Sequence, residues 1–358
     1  MSKIASQLQE VVKQKKQLAT NLNVKGVSAS EDETLNTLVP KVLSIVGGGD
    51  VKLGTKEITA DGEYYAYEDG LDGYSSVNVN VTKGVDFLAT FKVAGGTSTY
   101  MNVKMLGDVP EYAFNNAKLN EVDLTLSKEV ASNGFYNNSD ITKIIAPNPL
   151  KIGSYAFSGC NQAEGEITIS EKQTELDDYV FNNCKKLKIN LHDKITSISK
   201  YCFNNCEAID WTSLPPLLTG IYVYTFYKCI NLKITELPIG VREISQYAFA
   251  YCSGIETLKI HDNFTTIGPY VFRYCTGLKE VEIGNGITNM NGSYCFGNCT
   301  SLEKFTIHAT TPPSISSSAF TNSNKLTEIR VPASALETYK SWSNWSKHAD
   351  KMVGIEGE

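Results

Sequence analysis

The sequence predicts a mainly β solenoid, and three observations predict it. A Phe recurs ten times at intervals of 21 to 24 residues: Phe114, Phe135, Phe157, Phe181, Phe203, Phe226, Phe249, Phe272, Phe296 and Phe320. Other side chains keep fixed offsets from it. A Tyr stands two residues before the Phe in eight units (Tyr112, Tyr155, Tyr179, Tyr201, Tyr224, Tyr247, Tyr270, Tyr294), and a Cys three residues after it in seven (Cys160, Cys184, Cys206, Cys229, Cys252, Cys275, Cys299). A short alternating strand then follows, as in Leu258-Lys259-Ile260, Val281-Glu282-Ile283 and Phe305-Thr306-Ile307. Self-similarity at this period marks stacked units rather than one globular core.

A unit of about 23 residues cannot bury its apolar positions alone, so it must stack on its neighbours. Aliphatics recur five residues before the Phe (Ile152, Leu176, Ile198, Ile221, Ile244, Ile267) and six after it (Ile141, Leu187, Ile209, Leu232, Ile255, Leu278, Leu302, Leu326). Stacking at strand spacing, ~4.8 Å, turns each such position into a ladder, and ten units into a slab roughly 50 Å long.

The segments IGSYAFSGC (152–160), ISQYAFAYC (244–252) and IGPYVFRYC (267–275) resemble the BspA-type leucine-rich repeat over about residues 107–332. The resemblance implies a leucine-rich-repeat solenoid of about ten units. The earliest units depart from the pattern, with Ala117 and Asn138 where Cys is expected, as repeats near a solenoid end often do.

Five blocks divide the chain: 1–49, 50–84, 85–106, the solenoid 107–332 and a C-terminal cap 333–358. In the first block Ile4, Leu8, Val11, Lys15, Leu18 and Leu22 follow a heptad step. They form a candidate oligomerisation seam for a trimer or dimer, or one face of a helix packed on its own chain; the Lys15 stem can snorkel from such a seam. Gly26 stops this helix, and Ser30 with Glu33 is a capping box for a second one. Its apolar face is Leu35, Leu38, Val39, Val42, Leu43 and Val46, with a kink or break at Pro40. Gly47-Gly48-Gly49 reads as a linker.

Residues 50–84 read as a small β module. Glu57 to Tyr65 reads as a strand, turn and strand, and Val77-Asn78-Val79-Asn80-Val81 alternates strictly. Residues 85–106 are a transition into the solenoid. Two stretches resemble segments of tail and fibre proteins from phages of Gram-positive bacteria. One is Lys25-Gly26-Val27-Ser28-Ala29 with Thr34-Leu35. The other is Ile58-Thr59-Ala60-Asp61-Gly62-Glu63-Tyr64 with Gly70-Leu71-Asp72-Gly73-Tyr74-Ser75-Ser76-Val77-Asn78-Val79. That resemblance implies a virion location and attachment to other virion proteins through the N-terminal region. The charged N-terminus lacks the apolar core of a secretory signal, which fits assembly in a host cytoplasm.

In the C-terminal block, Ala333 to Tyr339 reads as a short helix with Ala335, Leu336 and Tyr339 on one face. Trp342 and Trp345 are expected to cover the open end of the last repeat.

Chemistry is hard to find. The formal net charge is −6, which excludes an electrostatic case for nucleic acid. No apolar run reaches the length of a membrane span. The spacings Cys202-x3-Cys206 and Cys295-x3-Cys299 suit zinc, but small buried residues fit the same ladder position better. His192, His261, His308 and His348 stand beside no nucleophile motif, and no phosphate loop is present. The sequence therefore predicts no enzyme and no cofactor.

Binding is the remaining class. Tyr251 and Tyr274 hold the same turn position in successive units beside Arg273, with Tyr227 in a neighbouring position one unit earlier. Such a row of rings is a candidate contact surface for sugars, the expected partner being a host cell-surface glycan or protein. The same residues can instead lean on one another and cover the turn. A passive capsid or tail decoration protein and a bacterial surface adhesin are the alternatives.

Overall fold

The computed structural model describes residues 53–58, 62–64, 73–79, 89–91, 101–117 and 119–355. Both helices expected within residues 1–49, the linker that follows and the heptad seam lie outside these residues.

The chain winds as a parallel β solenoid. Seven long strands pair side by side in chain order: Leu53–Ile58, Gly73–Val79, Met101–Met105, Leu119–Asp123, Lys143–Ile145, Glu164–Thr168 and Leu187–Asn190. The sheet thus runs through blocks 50–84 and 85–106 and does not begin at the first ladder Phe. A second sheet holds Thr257–Ile260, Glu280–Ile283, Lys304–Ile307, Glu328–Pro332 and Met352–Ile355. Its register sets like on like: Leu258 opposes Val281, Val281 opposes Phe305 and Phe305 opposes Ile329. Two-residue strands such as Glu243–Ile244 and Thr266–Ile267 form a second ladder along another side.

A strand in every unit is the expectation, and two turns break it. Between Leu187–Asn190 and Thr257–Ile260 the stretches 209–216 and 232–235 pair as no strand. Pro215 and Pro216 lack the N–H a ladder needs. Trp211 compensates: its indole N–H donates to the Ile189 carbonyl at 2.9 Å, and its ring meets Phe203 edge-on at 5.1 Å.

The ten phenylalanines stack as one column, with centroids 5.2 to 5.9 Å apart and planes within 21°. That exceeds strand spacing because offset rings slide sideways. The nine cysteines are free and buried. Their ladder position has a more specific role than filling space. Each ladder thiol donates to the carbonyl of the Phe one turn back, for example Cys184 to Phe157 at 3.0 Å, Cys252 to Phe226 at 3.0 Å and Cys275 to Phe249 at 3.1 Å. Where Cys is missing the donor survives: Asn138 reaches Phe114 O at 2.6 Å and Ser323 reaches Phe296 O at 2.7 Å. Only Ala117, in the first Phe turn, has none to offer.

The C-terminal cap contains the short helix, Leu336–Ser341. Tyr339 donates to Ala309 O and the buried Trp345 to Pro313 O, both at 2.8 Å. Trp342 departs from expectation. It is 43% exposed and does not seal the end. The last repeat is instead covered by strand Met352–Ile355, which pairs in parallel with Glu328–Pro332. Four residues with one buried Met give too little alternation to be read from sequence.

Candidate functional site

The turn before each Phe explains the next ladder. Tyr112, Tyr155, Tyr179, Tyr201, Tyr224, Tyr247, Tyr270 and Tyr294 all have φ between 52° and 59°. A second left-handed residue follows four positions later. The two reversals turn alternate backbone N–H groups toward the next unit. Thus Tyr247, Phe249 and Tyr251 donate to Pro269, Val271 and Arg273 at 3.1, 3.0 and 2.8 Å. The tyrosines stack in consequence. From Tyr155 to Tyr270 their centroids are 4.5 to 4.8 Å apart, and the final step to Tyr294 widens to 5.8 Å.

The second left-handed position is where the turns differ. It holds Asn116, Asn137, Gly159, Asn183 and Asn205, then Lys228, Tyr251 and Tyr274, then Asn298 and Asn322. Asn tolerates positive φ because its short amide bonds locally; longer side chains pay roughly 1–2 kcal/mol there. Here the asparagines also bond to each other, Asn137 to Asn116 at 2.6 Å, Asn205 to Asn183 at 2.9 Å and Asn322 to Asn298 at 2.8 Å. Three consecutive turns forgo both benefits.

Those turns bring together all four residues singled out in the sequence. Tyr251 and Tyr274 stack at 4.6 Å, and Tyr227 meets Tyr251 edge-on at 5.3 Å. The Arg273 guanidinium lies 4.8 Å from the Tyr274 centroid and 5.4 and 5.1 Å from Tyr270 and Tyr294. It sits at the widened step of the Tyr column. Lys228, which the aromatic pattern does not mark, places its ammonium 5.5 and 5.6 Å from the Tyr227 and Tyr251 rings. Aligning the ten units by their second left-handed position would have exposed it.

The geometry changes what the rings can do. One face of Tyr251 is taken by Tyr274, and Lys228 with Tyr227 closes on the ring from the preceding turn. Arg273 lies against Tyr274. The faces on which a sugar would stack are occupied, leaving ring edges and the phenol groups, of which the Tyr274 oxygen already accepts from Arg273 at 3.5 Å. Burial raises the pKa of the Tyr227 phenol, and the neighbouring Tyr251 and Tyr247 add to it, so it stays protonated.

The sequence's other chemistry does not assemble. Burial pushes every cysteine thiol up, Cys160, Cys275 and Cys295 to about 12, so thiolates are disfavoured. Among the described residues no three His, Cys, Asp or Glu side chains converge as metal ligands. His192 and His261 serve the backbone, reaching Ser170 O at 3.0 Å and Pro238 O at 2.9 Å.

The family model for the BspA type leucine rich repeat region matches in six copies, over residues 97–210, 128–256 and 242–343. The chain belongs to the BspA-type leucine-rich repeat family. No curated protein sequence matches this BspA-type chain. Among solved structures, it is similar to a leucine-rich repeat protein from Bacteroides ovatus ATCC 8483, with 21% identity over 69% of each chain and a TM-score of 0.46. A leucine rich cell surface protein from Faecalibacterium prausnitzii A2-165 shows 19% identity over 85% of this chain and 88% of that one, with a TM-score of 0.35. The leucine-rich repeat protein of T. pallidum shows 16% identity over 65% and 72%, with a TM-score of 0.25.

Proposed function

We propose that this BspA-type chain is a non-enzymatic adhesion module whose solenoid binds a host cell-surface partner through the turns at 222–229, 245–252 and 268–275. One observation carries the reading: three successive units replace the locally favoured Asn with Lys228, Tyr251 and Tyr274. Departures from local preference concentrate at functional sites. Stacked repeats also present the extended surfaces that such binding uses.

We further read the module as a tail- or fibre-type virion protein, held to other virion proteins through its N-terminal region as a trimer or dimer. The phage-like residues between 18 and 82 support this, and the seam from Ile4 to Leu22 supplies the contact.

The test is retention of the labelled full chain on Gram-positive cells. Wild type is expected to be retained, and a chain with Lys228→Asn, Tyr251→Asn and Tyr274→Asn is expected to wash off. Retention on no strain sinks the adhesion reading and leaves a passive decoration protein. Recovery of the native protein from a cell envelope rather than from virions sinks the virion reading and favours a surface adhesin.

A further inference from the structure

We infer that the patch selects an acidic polysaccharide, a sugar polymer carrying carboxylate or phosphate groups; this rests on the adhesion reading above. The first ground is what the patch offers. With their faces occupied, Tyr251 and Tyr274 present ring edges, the positive rim of the aromatic quadrupole, together with phenol O–H groups. Lys228 and Arg273 flank the pair and are donors only. The exposed inventory is thus rich in positive potential and donors, which suits an acceptor-rich anion.

The second ground is that neither cation is neutralised. About half of the other cations on the solenoid are paired, as Lys200 is with Asp178 at 3.3 Å, Lys259 with Glu282 at 3.3 Å and Lys279 with Glu256 at 2.6 Å. Among the described residues Lys228 and Arg273 form no ion pair. The Arg273 Nε is buried and has no hydrogen-bond partner. The two cations stand two turns apart, one on each side of the turn that carries Tyr251, so the patch keeps a local positive charge in a chain of net charge −6.

The third ground is spacing. Lys228, Tyr251 and Tyr274 occupy one position in three successive turns, and the two rings are 4.6 Å apart. A polymer laid along the solenoid axis meets one side chain able to donate a hydrogen bond per turn, an ammonium and then two phenols. The line runs from the Lys228 ammonium across two phenols to the guanidinium beside Tyr274.

The experiment titrates the full chain with three polymers, polygalacturonate, a glycerol-phosphate polymer and neutral dextran, between 50 and 300 mM salt. At least one anionic polymer is expected to bind, with affinity falling tenfold or more across that range as screening grows. Which of the two binds more tightly identifies carboxylate or phosphate as the source. Lys228→Asn, a residue other turns accommodate at that position, and Arg273→Gln are each expected to weaken binding tenfold. Circular dichroism melting separates lost binding from lost folding. Equal affinity for dextran, or binding indifferent to salt and to both substitutions, overturns the inference while keeping an adhesion site. No binding to any polymer overturns it too. If the chain also fails to adhere to cells, the adhesion reading falls with it.

Discussion

Raising the pH from 8 to 9.5 should unfold this solenoid through its cysteines. All nine thiols are buried, and burial lifts three of them to about 12 and the rest clearly upward. In the unfolded chain a thiol ionises near 8.5. The folded chain therefore holds protons that the unfolded chain releases, so the stabilisation is complete below about pH 8.5 and is lost as pH climbs toward the folded values. By pH 9.5 each thiol favours the unfolded state by about 1 kcal/mol, and the nine together by roughly 10 kcal/mol, comparable to a whole domain's stability. The limiting slope is about 12 kcal/mol per pH unit. Denaturant midpoints measured with reductant at pH 7.5, 8.5, 9.0 and 9.5 read this directly. The window lies below the ordinary tyrosine range, so phenols contribute little to it. Replacing Cys184, Cys206, Cys229 and Cys252 with Ser should cut the limiting slope to about 7 kcal/mol per pH unit. Stability flat up to pH 9.5, or the same slope in the Ser variant, would refute the reasoning.

Further outcomes follow from the same ladders. Phe249→Ala removes a ring stacked on both sides, at 5.3 and 5.5 Å, and should cost about 3–5 kcal/mol in equilibrium unfolding. Cys252→Ala removes the donor to Phe226 O and should cost about 1–2 kcal/mol, whereas Cys252→Ser, which keeps a donor as Ser323 does, should cost less. In the native chain at pH 8 the nine thiols should resist alkylation, and all should react once guanidinium is added; mass spectrometry counts them. The triple change of Lys228, Tyr251 and Tyr274 to Asn should shift the melting temperature little. Relief at positive φ offsets the stacking lost, about 0.5–1.5 kcal/mol per aromatic pair.

The ladders were legible because a solenoid repeats its environment, so Phe, Tyr and Cys recur wherever the same pocket recurs. The donor role of Cys was not legible. It depends on a Phe carbonyl one turn back, a contact across 25 to 27 residues that periodicity does not describe. The strand break at Trp211 was equally hidden, since the indole replaces a backbone donor and nothing in the repeat announces it. For the candidate site, shared turn positions were enough to group Tyr227, Tyr251, Arg273 and Tyr274. Lys228 carries no aromatic signal in the sequence, although it occupies the same left-handed position as Tyr251. The direction of the rings also needed coordinates. Offsets give which residues neighbour one another, not that their faces are spent on each other.

The most direct test of the account is side-chain oxidative footprinting of the full chain with and without bound Gram-positive cell-wall polysaccharide. Modification of Tyr227, Tyr251 and Tyr274 should fall on binding, while exposed Tyr112 and Trp342, outside the patch, stay as reactive as before. Protection of Tyr112 or Trp342 with the three patch tyrosines unchanged would contradict it.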